Sequence, residues 1–494
     1  MSREIESSPN AIHAEIIQEE TLYGRLPLLP EEREYGVLGA NATCFAYAIA
    51  TWCFLEGGYM ADYLGAVEGM ICLITGSLIG LFLVTMAPAL AGQRYGLEAI
   101  DYTKSAFGQK GSKVLLVFYL INQLGWTGLI LVMFGNGIRN LLLAFGVEVG
   151  TWVVGAGVLL GIWLCYFLVT RGIHLLNVSN AYIGPGLMIL VVAMFVLLLR
   201  SHGWEEIVNA EPLDPFEEPW LNYMIGMEMG IAGGLSWWGG IGFLARNTRT
   251  RRSAVYPEIL QLGLVMALVC CVALFSSLVV RSSDPTEWMI PIGGFVMGVA
   301  ALIFVAIANI SSSAISIFAS GLALRHIRVL SARPWWHLTL WSLVPCLPFV
   351  FWPTELYDMG SNFLAYNGTL FAPVVGLLFV DFVFVRRQRL NLAAIFDDDP
   401  SAEYYYTRGF HWPALICLVL GQGVYFALLD PLTYEASDAF FYLTASLPAA
   451  VCPAIVYLAW MKIFPPTKVK GIASGSGSAS GASSGARRVV QPNL

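Results

Sequence analysis

Apolar runs long enough to cross a bilayer recur along this chain, and they leave few folds open to it. A helix needs about 17 to 25 mostly apolar residues to span the hydrocarbon core. Twelve such runs stand out, at 37–60, 66–92, 112–144, 149–170, 176–199, 222–245, 255–280, 290–324, 335–352, 359–385, 412–430 and 438–461. Hydrophobic residues make up 57% of the 494, and charged residues only 12%, against roughly 25% charged in an ordinary soluble domain. Folded soluble proteins still expose a large area to water, so apolar surface on this scale requires lipid as its solvent. Lipid offers no hydrogen-bond partners, so each run must satisfy its own backbone as a helix. The alternating pattern of barrel strands is absent from the sequence. The expected fold class is therefore an all-α membrane protein with twelve transmembrane helices packed as one domain over 35–465. A polar segment, 1–34, precedes it, and a flexible Gly/Ser-rich tail, 466–494, follows.

The loops set the orientation. With the N-terminus inside, the even-numbered connections carry most of the basic residues, among them Arg94, Lys104, Arg171, Arg246, Arg249, Arg251, Arg252, Arg325, Arg328, Arg386, Arg387 and Arg389. The odd-numbered ones carry acids such as Glu205, Glu206, Glu211, Asp214, Glu355 and Asp438, with Arg200 and Arg281 as exceptions. Positive charge marks the cytoplasmic side, which predicts a multi-pass protein of the plasma or inner membrane with both termini cytoplasmic. The same arginines recur at membrane edges rather than on one face, which argues against a nucleic-acid partner. The first 34 residues lack the basic and apolar regions of a signal peptide. The nine cysteines stand singly or as one adjacent pair, Cys270 with Cys271, without CxxC or Cys/His spacing, and read as small buried hydrophobes. No GxxxxGK[ST] loop is present for nucleotide, and the spans hold no nucleophile–base pair or metal cluster of an enzyme.

Two spans look interrupted. The first, ATCFAYAIATWCFLEGGYM, crowds small residues around Tyr47 to Thr51. The sixth, MGMEMGIAGGLSWWGGIGFLA, holds Gly230, Gly233, Gly234, Gly239 and Gly240 around Trp237 and Trp238. Glycine loosens a helix and also lets helices pack closely. Loosened helices at matching positions, first and sixth, point to a five-plus-five inverted repeat with a binding site at the membrane midplane. The repeats fall at about 35–200 and 220–390, with two extra helices at about 410–462.

The stretch RYGLEAIDYTKSAFGQKGSKVLLVFYLINQLGW, together with SNFLAYNGTLFAPVVGLLFVDFVFVRRQRLNLAAIF and YYYTRGFHWPALICLVLG, resembles the nucleobase:cation symporter family of cytosine and hydantoin permeases. The likeness runs from about 33 to 462 and implies a leucine-transporter-like fold. It also implies a sodium site formed by the carbonyls of Ala46, Ile49 and Ala308 and the hydroxyls of Ser311 and Ser312. Hard oxygen ligands of this kind suit a small cation, whereas serines in membrane helices also bond back to their own backbone. The resemblance further implies a flat heterocycle held between Trp126 and Trp237, with Trp238 taking that role after a one-residue shift. The family's polar substrate contacts fall here on Ala50, Ile130 and Ile317, which cannot make those hydrogen bonds. Polar capacity near the site remains at Glu56, Gln123 and Ser236, and at Asn122, Asn309 and Ser313.

Glu56 lies inside apolar sequence, where a charge costs at least a few kcal/mol and marks a functional candidate. Glu228 is a second such carboxylate, nearer the outer end, and Asp381 with Arg386 and Arg387 reads as an anchor at the cytoplasmic edge. The resulting expectation is a secondary active symporter, with no cofactor beyond sodium as coupling ion, carrying a nucleobase or related planar heterocycle by alternating access. Its expected partners are that small molecule and the bilayer; the sequence gives no oligomeric state. Open alternatives are proton coupling through Glu56 or Glu228, a different small solute such as a vitamin precursor or amino acid, and a membrane sensor.

Overall fold

The computed structural model describes residues 26–171, 173–331 and 333–465, without the side chains of 173–181. The expected tail at 466–494 and most of the segment 1–34 lie outside the described residues.

Every one of the twelve apolar runs contains helix. The first span is two helices, Val37–Ala48 and Trp52–Tyr63, bent by 53° across Ile49–Thr51. Ala66–Tyr95, Ser112–Ala144, Trp152–Thr170 and Ile173–Ser201 follow as the second to fifth spans. The sixth is again broken, into Pro219–Leu235 and Trp238–Arg246. Arg251–Val280, Pro285–Leu324, Trp335–Leu343 with short continuations to Phe351, Gly360–Val385, Trp412–Leu428 and Ser446–Ile463 complete the set. Eight helices are long and apolar enough to cross a membrane by themselves, and the bent first pair makes a ninth, counted among the described residues. The other three runs are the broken sixth, the segmented ninth, and the eleventh at 17 residues.

Some boundaries differ from expectation. The eighth helix begins at Pro285 rather than at 290, because Asp284 caps its first turn by accepting from the Thr286 N–H at 2.8 Å. It then bends at Gly294, whose φ of 67° is a conformation glycine adopts freely. The twelfth span starts at Ser446, eight residues later than its apolar run, since the short helix Phe440–Leu443 and a turn at Thr444 intervene.

Packing divides the spans into two groups. The sixth span lies on the second and the seventh on the outer half of the first; the eighth lies on the third, and the third on the fourth. The tenth and twelfth pack together beside the sixth. The second and sixth spans meet through two GxxxG pairs, Gly76 with Gly80 and Gly230 with Gly234. A Cβ on Gly76 would lie 2.9 Å from the Gly230 Cα, and one on Gly234 would lie 2.8 Å from the Leu81 nitrogen. These glycines therefore serve close packing. They do not loosen the sixth helix, as expected from the sequence; it runs unbroken through Gly230, Gly233 and Gly234 and stops only at Ser236.

Two buried carboxylates hold the periphery. Glu228 Oε2 accepts from the backbone N–H groups of Ala445 and Ser446 at 2.9 and 3.0 Å, and Oε1 accepts from the Ser446 hydroxyl. The carboxylate thus seats the N-terminus of the twelfth helix, where the helix dipole favours an anion. Asp381 receives the Arg386 Nε at 2.6 Å and the Tyr457 hydroxyl at 2.8 Å, while Arg386 also donates to the Ser105 carbonyl and the Tyr406 oxygen. This pair ties the short helix Ala99–Phe107 to the tenth and twelfth spans, the anchoring role its position suggested.

Candidate functional site

Both chain breaks border a cavity of about 490 Å³. The first-span break contributes Tyr47, Trp52 and Glu56, the sixth Gly233, Ser236 and Trp237, and the third span Tyr119, Asn122, Gln123 and Trp126. Phe318 on the eighth span closes one side. The aromatic walls are held by edge contacts. Trp237 meets Trp52 with ring centroids 5.7 Å apart at 78°, and Trp126 meets Phe363 at 5.5 Å and 85°. Edge-to-face contacts of this kind fix ring planes while leaving a face free.

The polar groups divide by whether they are satisfied. Asn122 donates from Nδ2 to the Ser236 carbonyl at 3.0 Å, bonding an acceptor at the sixth-span break, while its Oδ1 has no partner. Gln123 donates to the Ser316 carbonyl at 3.4 Å. Glu56 is 2% exposed; its Oε2 lies 3.9 Å from the Cys270 sulfur, and its Oε1 has no partner. A Cβ on Gly233 would lie 2.5 Å from that Oε1, so glycine there makes room for the carboxylate. Glu56 and Asn122 thus bring to the cavity lining two side chains whose Oε1 and Oδ1 are buried without donors, beside Trp126 and Trp237.

The structure sorts the expected residues. Trp126, Trp237, Glu56, Gln123 and Ser236 line the cavity. Trp238 does not: it is fully buried, stacked on Phe371 at 5.8 Å with its edge toward Tyr119, so the shifted register fails. Ala50, Ile130 and Ile317 are buried at 7, 0 and 1% exposure and lie off the cavity wall; they pack helices instead. Glu228 and Glu56 do not share a partner, because the twelfth helix takes every oxygen Glu228 offers. Sequence reasoning missed Trp52, although an aromatic directly after a chain break was signal enough.

The ion positions fall on two elements. Ile49 leaves the helical region at φ −104° and ψ 82°, and the hydrogen bonds resume only where Cys53 donates to the Ala50 carbonyl. Among the described residues the carbonyls of Ala46 and Ile49 receive no backbone N–H. Ala308, Ser311 and Ser312 are buried on the eighth span. Ser320 bonds back to the Ser316 carbonyl at 2.8 Å, but Ser313 Oγ has no partner. The inner half of the first span packs on the fifth and seventh spans, while the eighth packs on the third, fourth and fifth. No group of three His, Cys, Asp or Glu side chains fit to hold a metal occurs among the described residues.

The cavity lining also includes Glu98, Arg246 and His326, with Arg246 Nη1 on Glu98 Oε1 at 2.6 Å. The stretch from Leu28 to Tyr35 borders the same cavity, its ends hydrogen-bonded to Gly96 and to Asn247 and Arg249.

Paired broken helices around a central cavity, within two packed groups of spans, define a multi-pass membrane transporter with a leucine-transporter-like fold, and not an enzyme. The chain belongs to the family of permeases for cytosine and purines, uracil, thiamine and allantoin, whose sequence model matches residues 37–440. It is 21% identical to a purine-uracil permease of Arabidopsis thaliana over 423 residues, covering 80% of this chain and 69% of that one. It is 22% identical to a hydantoin permease of Microbacterium maritypicum, covering 81% and 83%. Among solved structures it resembles Mhp1 in an inward-facing conformation, with a TM-score of 0.76 at 18% identity over 89% of this chain and 94% of that one. A closed Mhp1, a nucleobase-cation-symport-1 transporter with bromovinylhydantoin bound, gives 0.71 at 19% identity over 89% and 96%.

Proposed function

We propose that this protein is a sodium-coupled symporter of a small planar nitrogen heterocycle that presents N–H donors. The observation that carries this reading is one cavity lined by Trp126 and Trp237 together with Glu56 and Asn122, each of which has a side-chain oxygen without a donor. Stacking accepts any flat ring, and the two acceptors select an amino-bearing or cationic one over a dione that lacks matching donors. The names of the relatives, a purine-uracil permease and a hydantoin permease, support a heterocycle. The cavity-lining Arg246 and His326 lie near the basic loops, which the charge rule puts in the cytoplasm of a plasma or inner membrane. Sodium entering down its gradient supplies about 2.3 kcal/mol per 100 mV, plus its concentration term.

A thermal-shift screen of the purified protein tests the substrate class, with adenine, guanine, cytosine, uracil, hydantoin and thiamine in sodium or choline buffer. A ligand at a hundred times its Kd stabilises by about 2.7 kcal/mol. Amino-bearing rings should raise the melting temperature most, and more so in sodium. Glu56→Gln keeps the shape of the side chain and removes its charge. It should lose that preference with its own melting temperature unchanged, and an unaltered ranking of ligands would show that Glu56 does not select them.

The ion is tested at Ser312. In proteoliposomes, Ser312→Ala should need at least tenfold more sodium for half-maximal uptake of the best ligand from the screen. Wild-type uptake that is the same with choline as with sodium would overturn sodium coupling.

A further inference from the structure

The seventh span holds a carboxylate that the central cavity does not use. Glu258 is 1% exposed, and neither carboxylate oxygen has a hydrogen-bond partner. Among the described residues the ion pairs form elsewhere, on Glu98, Asp101, Glu206, Asp381 and Glu403. Glu258 opens a widened π stretch, Glu258–Val265, a distortion that is frequent at functional sites. The inner half of the first span packs on this stretch, and Gln261 Nε2 donates to Asn41 Oδ1 across the contact at 3.0 Å. The Gln261 Oε1 is buried without a partner.

Among the described residues the titratable groups around Glu258 offer no neutralising cation. Cys44 faces it from the first span. The second span has no charged side chain between Glu68 and Arg94. On the preceding turn Arg251, Arg252 and Tyr256 are exposed, and the following helix brings only Cys270 and Cys271. An unpaired charge buried in a span costs at least about 2.5 kcal/mol, so the side chain needs a proton or a bound cation. With no ring of further oxygen ligands around it, a proton is the simpler occupant.

We propose that Glu258 is a proton-binding site between the inner half of the first span and the seventh span. The step is a proton transfer from hydronium: an O–H bond forms on the carboxylate as one breaks in hydronium, leaving the neutral acid and a water. The inner half of the first span is joined to its outer half only through Ile49–Thr51, so it can leave the seventh span without moving the central cavity's other walls. Protonation of Glu258 therefore decides whether this half rests on a neutral or a charged surface. The site does not depend on which heterocycle is carried, whereas Ala46, one of the proposed sodium positions, lies on the same half-span.

Infrared spectroscopy of the full-length protein in lipid nanodiscs tests this. The wild type should show the carbonyl band of a protonated carboxyl group at neutral pH, and alkaline titration should remove it. Glu258→Gln, nearly isosteric with the neutral acid, should lack the band by the amplitude of one group. Equal bands in the two proteins would overturn the site. A wild-type band that vanishes when sodium chloride replaces choline chloride at constant pH would make Glu258 a sodium ligand and overturn the proton assignment. Should the glutamine variant not fold, Glu258→Asp keeps an acid in a new position and should shift the band; an unmoved band refutes the proposal.

Discussion

Replacing Trp237 or Trp126 by alanine is expected to weaken heterocycle binding by about 1–3 kcal/mol each, the usual scale for a ring stacked on an aromatic side chain. That is roughly a fivefold to hundredfold loss of affinity. Both side chains border the cavity, and each is positioned by an aromatic partner, Trp52 or Phe363, so phenylalanine in their place should cost less. Trp238→Ala should behave differently. Its ring is buried against Phe371 and Tyr119, so truncation leaves a void worth about 3–5 kcal/mol of stability. Protein that survives should still bind. Equilibrium binding of the best ligand from the screen, measured beside melting temperature, separates the two outcomes. Binding lost in Trp238→Ala and kept in Trp237→Ala would place the wrong tryptophan in the site.

Arg386→Ala should be the most damaging single change at its end of the tenth span. It leaves Asp381 buried with only the Tyr457 hydroxyl and the Ser105 side chain as donors, and breaking a buried pair in this way costs about 3–5 kcal/mol. Arg386→Lys should recover only part of that, because an ammonium cannot reach Asp381, the Ser105 carbonyl and Tyr406 in the fixed planes of a guanidinium. Removing both charges, in Asp381→Asn with Arg386→Ala, should restore stability relative to Arg386→Ala alone. Size-exclusion profiles of detergent extracts after a heat step report this directly. A fully stable Arg386→Ala protein would show that the pair is not an anchor.

The membrane fold was legible because its signal is long and redundant. Each span needs some twenty apolar residues, and no other solvent accommodates twelve of them. The break in the first span was placed correctly at Tyr47 to Thr51, where small residues meet a tryptophan. The sixth was harder. Its glycines allow either loosening or close packing, and Gly230 and Gly234 face Gly76 and Gly80 on another helix, a relation that no single segment displays. The site was half legible for the same reason. Trp126, Trp237 and Glu56 each stand out in their own span. Which of two adjacent tryptophans faces a cavity depends on helix phase after a break, and periodicity does not carry across a break. Glu228 and Glu258 look alike in sequence, as lone acids near span ends. Only the arrival of the twelfth helix at one, and of no partner at the other, distinguishes them.

The glycine contact between the second and sixth spans has a consequence for redesign. Backbone lies on backbone there, so the two helices cannot slide or roll past one another, and they behave as one stiff beam. Selectivity and motion are then separable engineering problems. Side chains around Trp126, Asn122 and Glu56 can be exchanged to admit a new cargo while the beam stays intact. A single methyl group added at Gly76 or Gly234 would pry the beam apart, and the protein would lose its fold before its choice of cargo changed.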